Sequence, residues 1–332
     1  MILVVSQSGD PSTQHIIDWL SYYKANFVHI SDRESCVCFK SMNISNLGID
    51  THFVVEGKEV NISDIEAYFW RRGFFHYSFS NIKTNIARSG DLYFDEQVSR
   101  HLQGEKDKLL KSIYLQLENV DNKIGSYTYY DENKLDVLLL AKKNDLDIPR
   151  TLVTTQKKEL LRFLKECGRI ISKPINRAFT HKANANLSYS HLTVSISNDD
   201  IQEQAEEFFP TLFQEALSKV FELRIFYLKG QCYSMAIFSQ NDEQTKVDFR
   251  NYNEEKPNRT VPFLLPKEIS NKISLLMDLL NLDNGSVDMI YTTDKRYVFL
   301  EVNPVGQFGM VSYPCNYYLE KRIAKQLIQK KI

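Results

Sequence analysis

Residues 287–304 constrain the fold more than any other stretch of this 332-residue chain. Two apolar-rich runs, residues 286–291 and 297–302, flank the polar turn sequence Thr292-Thr293-Asp294-Lys295-Arg296, so the segment reads as a β-hairpin. With the turn centred between Asp294 and Lys295, Asp288 and Glu301 become cross-strand neighbours. Opposed carboxylates repel, and the flanking Val287, Met289, Leu300 and Val302 imply buried strands, so something must compensate. Asn303, two residues beyond Glu301, faces the same way and adds a neutral oxygen. Two carboxylates and an amide oxygen are the hard ligands that Mg²⁺ takes when substrate phosphates and water complete its octahedron. A solvated outer face with screened acids satisfies the same spacing.

The rest of the chain reads as an α/β protein. Residues 2–6 form an apolar strand, and Asp10-Pro11 then supplies a helix N-cap with a proline at the first helical position. Ile16, Ile17, Trp19, Leu20 and Tyr23 mark the apolar face of that helix, and residues 27–30 are the next strand. A βαβ opening predicts an open sheet with helices on its faces. Residues 53–60 read as a hairpin with Gly57 near its tip, 67–70 as a strand, 91–119 as a charged helix with an apolar stripe, and 134–144 as a second helix ending before Pro149. Strands follow at 151–154, 169–173, 191–196, 212–216, 221–228 and 231–239, with helices at 157–165, 199–208, 266–280 and 316–329. Residues 176–191, without a large apolar cluster, read as a mobile loop, and 241–262 as a polar loop over a site.

Charge and motif content exclude several function classes. Forty-one Lys and Arg against 42 Asp and Glu give a net charge of −1, so no global basic field draws the chain to nucleic acid or to an anionic membrane. The apolar run 137–141 is far short of the roughly 20 residues of a membrane helix. Met1-Ile2-Leu3-Val4-Val5-Ser6 lacks the basic start of a secretion signal, so a cytoplasmic location is expected. Five cysteines, odd in number and with Cys36 and Cys38 as the one close pair, predict structural thiols rather than a disulfide framework or a zinc site. Neither Gly-x-x-x-x-Gly-Lys-[Ser/Thr] nor Gly-x-Gly-x-x-Gly occurs, which removes P-loop and standard dinucleotide folds.

Basic residues at element ends are the next candidates. Lys173 ends an apolar strand ahead of Pro174, and its ammonium can stand over a nucleotide phosphate as a flexible point charge. Lys134 heads a helix; taken singly, each is also an ordinary solvated lysine. Arg224 and Arg250, in a strand and at the edge of the polar loop, carry planar forks suited to a γ-phosphate or an acyl phosphate, with surface ion pairing as the plainer reading. Gln214-Glu215-Ala216-Leu217 leaves a strand with backbone groups that can meet an adenine edge, and Glu222 can accept from a ribose.

In this order, Lys134, Ile170-Ile171-Ser172-Lys173-Pro174, Phe213-Gln214-Glu215, Glu222-Leu223-Arg224 and the 288–303 hairpin resemble the ATP-grasp superfamily over about residues 120–332. Trp70-Arg71-Arg72, residues 299–310 and the ending Cys315-Asn316-Tyr317-Tyr318-Leu319-Glu320 resemble more closely the ATP-grasp maturases of graspetides (microviridin-like ω-ester peptides), in the branch called grasp-with-spasm. The resemblance implies an ATP-grasp fold of three parts: an N-terminal pre-ATP-grasp open-sheet subdomain (1–120), a central lid subdomain (121–215) and a C-terminal subdomain carrying the Mg²⁺ site (216–332). It implies that Lys134 and Lys173 contact ATP phosphates, that Gln214, Glu215, Ala216 and Leu217 line the adenine, and that Glu222 holds the ribose. It further implies that Asp288, Glu301 and Asn303 bind one or two Mg²⁺, and that Arg224 and Arg250 lie near the transferred phosphoryl group. One departure stands out: no glycine occurs between residues 174 and 229, where many ATP-grasp enzymes have a glycine-rich phosphate loop.

The implied function is ATP-dependent macrocyclisation. An Asp or Glu side chain of a ribosomal precursor peptide, with leader and core, is phosphorylated and then captured by a Ser or Thr hydroxyl (ω-ester) or a Lys amine (ω-amide). Arg71 and Arg72 are candidates for holding the acidic peptide, a half-buried ion pair being the other reading. A SPASM-domain maturase and a homodimeric state are implied partners. Two rival readings stay open: an ATP-grasp ligase that adds a free amino acid to a protein or peptide, and a nucleotide-binding regulator without turnover.

Overall fold

The computed structural model describes residues 1–74, 77–78, 92–131, 133–176, 180–184, 187–190, 193–240, 242, 244–245, 249 and 253–329. Its contacts divide the chain into two compact units, one of residues 1–129 with the C-terminal segment from Tyr318, the other running from Tyr130 to Tyr317. Among the described residues no helix is long and apolar enough to cross a membrane.

The first unit follows the βαβ reading. In order it contains β1 (Ile2–Ser6), α1 (Pro11–Tyr22), β2 (Phe27–Ser31), β3 (Val37–Ser45), β4 (Gly48–Val55), β5 (Lys58–Asn61), β6 (Ala67–Arg71), β7 (Tyr77–Ser78), α2 (Leu92–Glu118) and β8 (Asn122–Ile124). Strands β2-β1-β6-β8 form a parallel sheet. Its central strands β1 and β6 are buried along their whole length, as a parallel sheet covered on both faces requires. Asp10 caps α1 by accepting from the Thr13 amide at 3.0 Å, and Pro11 occupies the first turn. The C-terminal helix Leu319–Ile328 returns to this unit, packs on α1 and buries Leu319, Ile323, Ala324 and Leu327. A second sheet, β5-β4-β3-β7, contains the 53–60 hairpin. Its longest strand, β3, carries Lys40-Ser41-Met42-Asn43 on a largely exposed ribbon and so lacks the alternation that marks a half-buried strand.

The second unit contains α3 (Lys134–Lys143), β9 (Thr151–Gln156), α4 (Lys157–Cys167), β10 (Ile170–Lys173), β11 (Thr180–Asn184), β12 (Leu187–Ser190), β13 (Val194–Ile196), α5 (Asn198–Gln202), β14 (Glu207–Glu215), β15 (Lys219–Leu228), β16 (Gln231–Phe238), β17 (Arg259–Phe263), α6 (Lys267–Leu279), β18 (Asn284–Thr292) and β19 (Tyr297–Asn303). One sheet has the order β13-β10-β14-β9, with Leu160, Phe163, Ile170, Ile201 and Phe213 as its core. The larger sheet, β17-β16-β15-β18-β19, is antiparallel throughout, and α6 buries Ile273, Leu276 and Met277. Lys229 and Gly230 join β15 to β16 with φ of 42° and 88°, the left-handed pair of a two-residue hairpin turn.

Two sequence expectations are corrected here. Residues 176–191 are not a loop throughout: β11 and β12 pair as an antiparallel hairpin. Hydrophobic alternation marks only strands with a buried face, and a ladder held by backbone hydrogen bonds leaves no such mark. The helix read over 199–208 is the short α5, started by a Ser197–Asp200 capping box and ended at Gln202. Glu207 onward joins β14, because Phe208 and Phe209 favour a strand and Pro210 drives the residue before it out of the helical region.

Candidate nucleotide site

A cavity of about 640 Å³ lies between the two main sheets of the second unit, within the size range of small-molecule and cofactor sites. Its lining includes Ile170, Ile171 and Lys173 from β10, Gln214 to Lys219 across the link from β14 to β15, and Glu222 from β15. Asp288, Met289 and Ile290 of β18 and Leu300 and Glu301 of β19 complete one wall.

The carboxylate hairpin forms as its spacing predicts, with one irregularity that matters. Asp288 pairs with Glu301, but Met289 pairs with Phe299, so Leu300 is an extra residue on β19. The turn is also one residue tighter in register than a centre between Asp294 and Lys295: Tyr291 pairs with Tyr297, and Lys295 takes φ 66°. The bulge at Leu300 absorbs that offset and restores Glu301 opposite Asp288. Asn303 sits opposite Ser286 at the exposed end of the strand, where its Oδ1 accepts from the Val305 amide at 3.1 Å.

The compensating charge for Asp288 is Arg224. Its Nη1 donates to both carboxylate oxygens of Asp288 at 2.7 Å, with both side chains 8% exposed. Register sets this contact, since Arg224 and Asp288 are direct partners on β15 and β18. Arg224 Nε is buried with no hydrogen-bond partner. Beside this pair lies a second: Lys219 Nζ donates to Glu222 Oε1 at 2.6 Å, and the Ser239 hydroxyl donates to the same oxygen at 2.7 Å. Buried ion pairs contribute little net stability compared with apolar residues of the same shape, so two of them in one cavity wall point to chemistry rather than to folding.

Lys134 is brought to the same place from α3. Its ammonium donates to the carbonyls of Pro174 and Asn176 at 3.3 and 3.1 Å and stands 4.0 Å from Glu301 Oε2. It therefore joins the segment after Lys173 to the carboxylate hairpin. Gln214 is buried, with its amide donating to Thr151 Oγ1 at 2.9 Å, while Glu215 Oε1 accepts from the Arg150 amide at 3.0 Å and the Ala216 amide donates to the Arg169 carbonyl at 2.9 Å. These bonds fix the 214–217 link against the cavity.

Two expected residues, Arg71 and Arg72, are not among the residues that line this cavity, and a third is not described. Arg250 lies outside the described residues. Arg71 belongs to the first unit, is 3% exposed, and donates through Nε to Asp10 Oδ2 at 2.9 Å in a buried ion pair. Arg72 follows it with φ 53° and half-exposed. Conversely, Lys219, Ser239 and Gln240 belong to the cavity or its bonds without a sequence signal, because strand alternation places Lys219 and Glu222, three residues apart, on opposite faces. Among the described residues no group of three or more His, Cys, Asp or Glu is placed to hold a metal. Asp288 and Glu301 present to the cavity the oxygens that a hard cation takes, with the Asp288 oxygens accepting from Arg224, while Asn303 Oδ1 accepts from the Val305 amide.

No protein-family model matches the chain, and no curated protein matches it. Solved structures do. A RiPP-associated ATP-grasp ligase of Chryseobacterium gregarium, in complex with ADP and a leader and core peptide, is 23% identical with a TM-score of 0.76, over 98% of this chain and 94% of that one. The macrocyclase MdnC of Microcystis aeruginosa MRC, bound with the precursor peptide MdnA, is 23% identical with a TM-score of 0.73, over 98% and 99% of the two chains. The ATP-grasp ligase PsnB, complexed with a phosphomimetic variant of its minimal precursor, Mg and ADP, is 18% identical with a TM-score of 0.68, over 98% and 97%. The chain therefore has the fold of these ATP-grasp ligases from end to end.

Proposed function

We propose that the chain is an ATP-dependent peptide macrocyclase, a graspetide maturase that acts on a ribosomal precursor peptide with leader and core. The observation that carries this reading is the joint one of fold and cavity. The likeness spans nearly the whole of two enzymes, one whose structure holds ADP with a leader and core peptide and one bound with its precursor peptide, and the cavity is lined by the two opposed carboxylates and Lys173, with Arg224 bonded to Asp288 and Lys134 4.0 Å from Glu301. In this reading Gln214 to Leu217 line the adenine, Glu222 takes the ribose, and Lys134 and Lys173 contact the phosphates.

Asp288, Glu301 and Asn303 would hold Mg²⁺, which when bound neutralises phosphate charge and aligns the transferred group. In the first step a carboxylate oxygen of a precursor Asp or Glu attacks the γ-phosphorus of ATP, the bond from that phosphorus to the β,γ-bridging oxygen breaks, and ADP departs with the electron pair. In the second step a Ser or Thr hydroxyl, or a Lys amine, attacks the acyl carbon. Inorganic phosphate leaves with the C–O electron pair, and the nucleophile's proton passes to solvent. Each ring costs the peptide one water. The chain's contribution is positioning and charge: Arg224 and the two lysines stabilise the phosphoryl oxygens, and the bound peptide supplies its own nucleophile.

The same proposal takes the chain as a cytoplasmic enzyme with the three-part layout 1–120, 121–215 and 216–332, as a homodimer, and as a partner of a SPASM-domain maturase. Intact mass spectrometry of candidate precursor peptides after incubation with protein, ATP and Mg²⁺ tests the activity. Loss of one water mass per ring is expected. A gain of one amino-acid residue mass would move the assignment to an amino-acid ligase, and an unchanged mass with ADP bound would leave a non-catalytic nucleotide binder. Glu301→Gln and Lys173→Ala are expected to abolish ring formation in folded protein, as judged by circular dichroism and melting.

A further inference from the structure

On the premise of the ATP reading above, Lys219 owes its place in the site to a backbone irregularity rather than to a motif. In a regular strand, residues three apart point to opposite faces. Lys219 pairs with Thr292, yet Phe221 pairs with Tyr291, so Val220 is an extra residue on β15 with no partner of its own on β18. The bulge reverses the alternation between Lys219 and Glu222 and turns both side chains into the cavity, where they meet at 2.6 Å. Val220 itself is 42% exposed, while the Lys219 and Glu222 side chains are 5% and 8% exposed. The Glu222 carboxylate is held from a second side: Gln240 Nε2 donates to Ser239 Oγ at 3.3 Å, and Ser239 Oγ donates to Glu222 Oε1 at 2.7 Å. A bulge next to a site commonly re-aims a side chain, and here it delivers a buried cation to one carboxylate.

We propose that Lys219 is a positioning residue for the nucleotide sugar: held by the Val220 bulge, it fixes the Glu222 carboxylate as an acceptor for ribose hydroxyls and thereby sets the preference for ribonucleotides. A carboxylate clamped between an ammonium and a hydroxyl cannot rotate toward other donors, so it presents its remaining acceptor capacity in one direction. A site built to accept hydrogen bonds from substrate hydroxyls rejects the analogue that lacks one, because its own polar group is then left unsatisfied.

The test compares ATP with 2′-deoxyATP and 3′-deoxyATP, and measures ADP binding by titration calorimetry, in wild type, Lys219→Met, Lys219→Arg and the charge-neutral double variant K219M/E222Q. Wild type is expected to prefer ATP over at least one deoxy analogue by tenfold or more. Lys219→Met is expected to raise KM for ATP about tenfold with a smaller fall in kcat, to weaken ADP binding similarly, and to bring the ATP-to-deoxy ratio toward one; Lys219→Arg restores part of both. If Lys219→Met fails to fold, the double variant, which leaves no unpaired buried charge, carries the same expectation of weak and unselective binding. Wild-type affinity and selectivity in folded Lys219→Met or in the double variant would overturn the inference while leaving the ATP reading intact. A wild type that binds no ADP would overturn the ATP reading itself, and this inference with it.

Discussion

A single hydrogen atom in place of a methyl decides the geometry around Arg224. A Cβ added at Gly306 would stand 2.5 Å from Ser286 Cβ and 3.0 Å from Arg224 Nη2, so the chain can pass the guanidinium only as glycine. Gly306→Ala must displace either Ser286 or Arg224, an overpacking that costs about 1–3 kcal/mol. Ring formation is expected to fall tenfold or more in protein that remains folded, read from single-time-point mass spectra beside a melting curve; full activity would show that Arg224 tolerates displacement. In the first unit the comparable residue is Asp10. Burial alone would raise its pKa, but the Arg71 charge and the bonds from Thr13 outweigh it and hold the carboxyl below its ordinary value of 3.8. A depressed carboxylate stabilises the fold above its unfolded pKa and loses that contribution as pH falls through the folded one. Arg71→Met leaves a buried carboxylate uncompensated and is expected to destabilise by about 3–5 kcal/mol at neutral pH. The difference from wild type should shrink below about pH 4 in urea titrations, as Asp10 protonates in both proteins. At this scale the sequence was informative about residue types and about the local Asp288–Glu301 pair, but not about pairs between distant strands. Asp288, Glu301, Glu222 and Arg224 are named by their strand positions, whereas the partner of Asp288 lies 64 residues away and is chosen by register.

Among the elements, the carboxylate hairpin and the capped first helix were legible, since Asp10-Pro11 and the apolar runs on either side of the 292–296 turn are written locally. The two β-bulges were not. Neither Val220 nor Leu300 departs in type from its neighbours, and a bulge is set by how two strands must twist together. Yet both occur where the cavity takes a charged side chain, Lys219 in one case and Glu301 in the other. Deleting Leu300 tests the second case. Because Leu300 is the extra residue, its removal makes Phe299 and Glu301 consecutive opposite Met289 and Asp288, a regular ladder that keeps Glu301 across from Asp288. The deletion variant is therefore expected to keep both its far-ultraviolet circular dichroism and the stabilisation of its melting temperature by Mg²⁺ with ADP. Loss of that stabilisation in folded protein would show that the bulge itself, and not the pairing alone, aims the Glu301 carboxylate.

Across the whole molecule, what no local pattern could reveal is where distant segments meet. The C-terminal helix, read over 316–329 and found at Leu319–Ile328, is legible locally, but its partner is α1, some three hundred residues earlier, and its burial of Leu319, Ile323 and Leu327 completes the first unit rather than the one that precedes it in the chain. Each of those side chains contributes about 1.5–3 kcal/mol on burial, and together they approach the whole net stability of a domain, about 5–15 kcal/mol. A chain ending at Tyr317 is therefore expected to lose hydrogen-exchange protection along β1 and β2, whereas the amides of β18 and β19, whose ladder lies wholly within the second unit, keep theirs. Leu327→Ala gives the graded form of the same test, with an expected cost of about 2–5 kcal/mol from the cavity it leaves. If β1 stayed protected in the shortened chain, the parallel sheet would have to close over its own faces without the last helix, and the packing of Leu319, Ile323 and Leu327 would be an addition to that unit rather than part of its core.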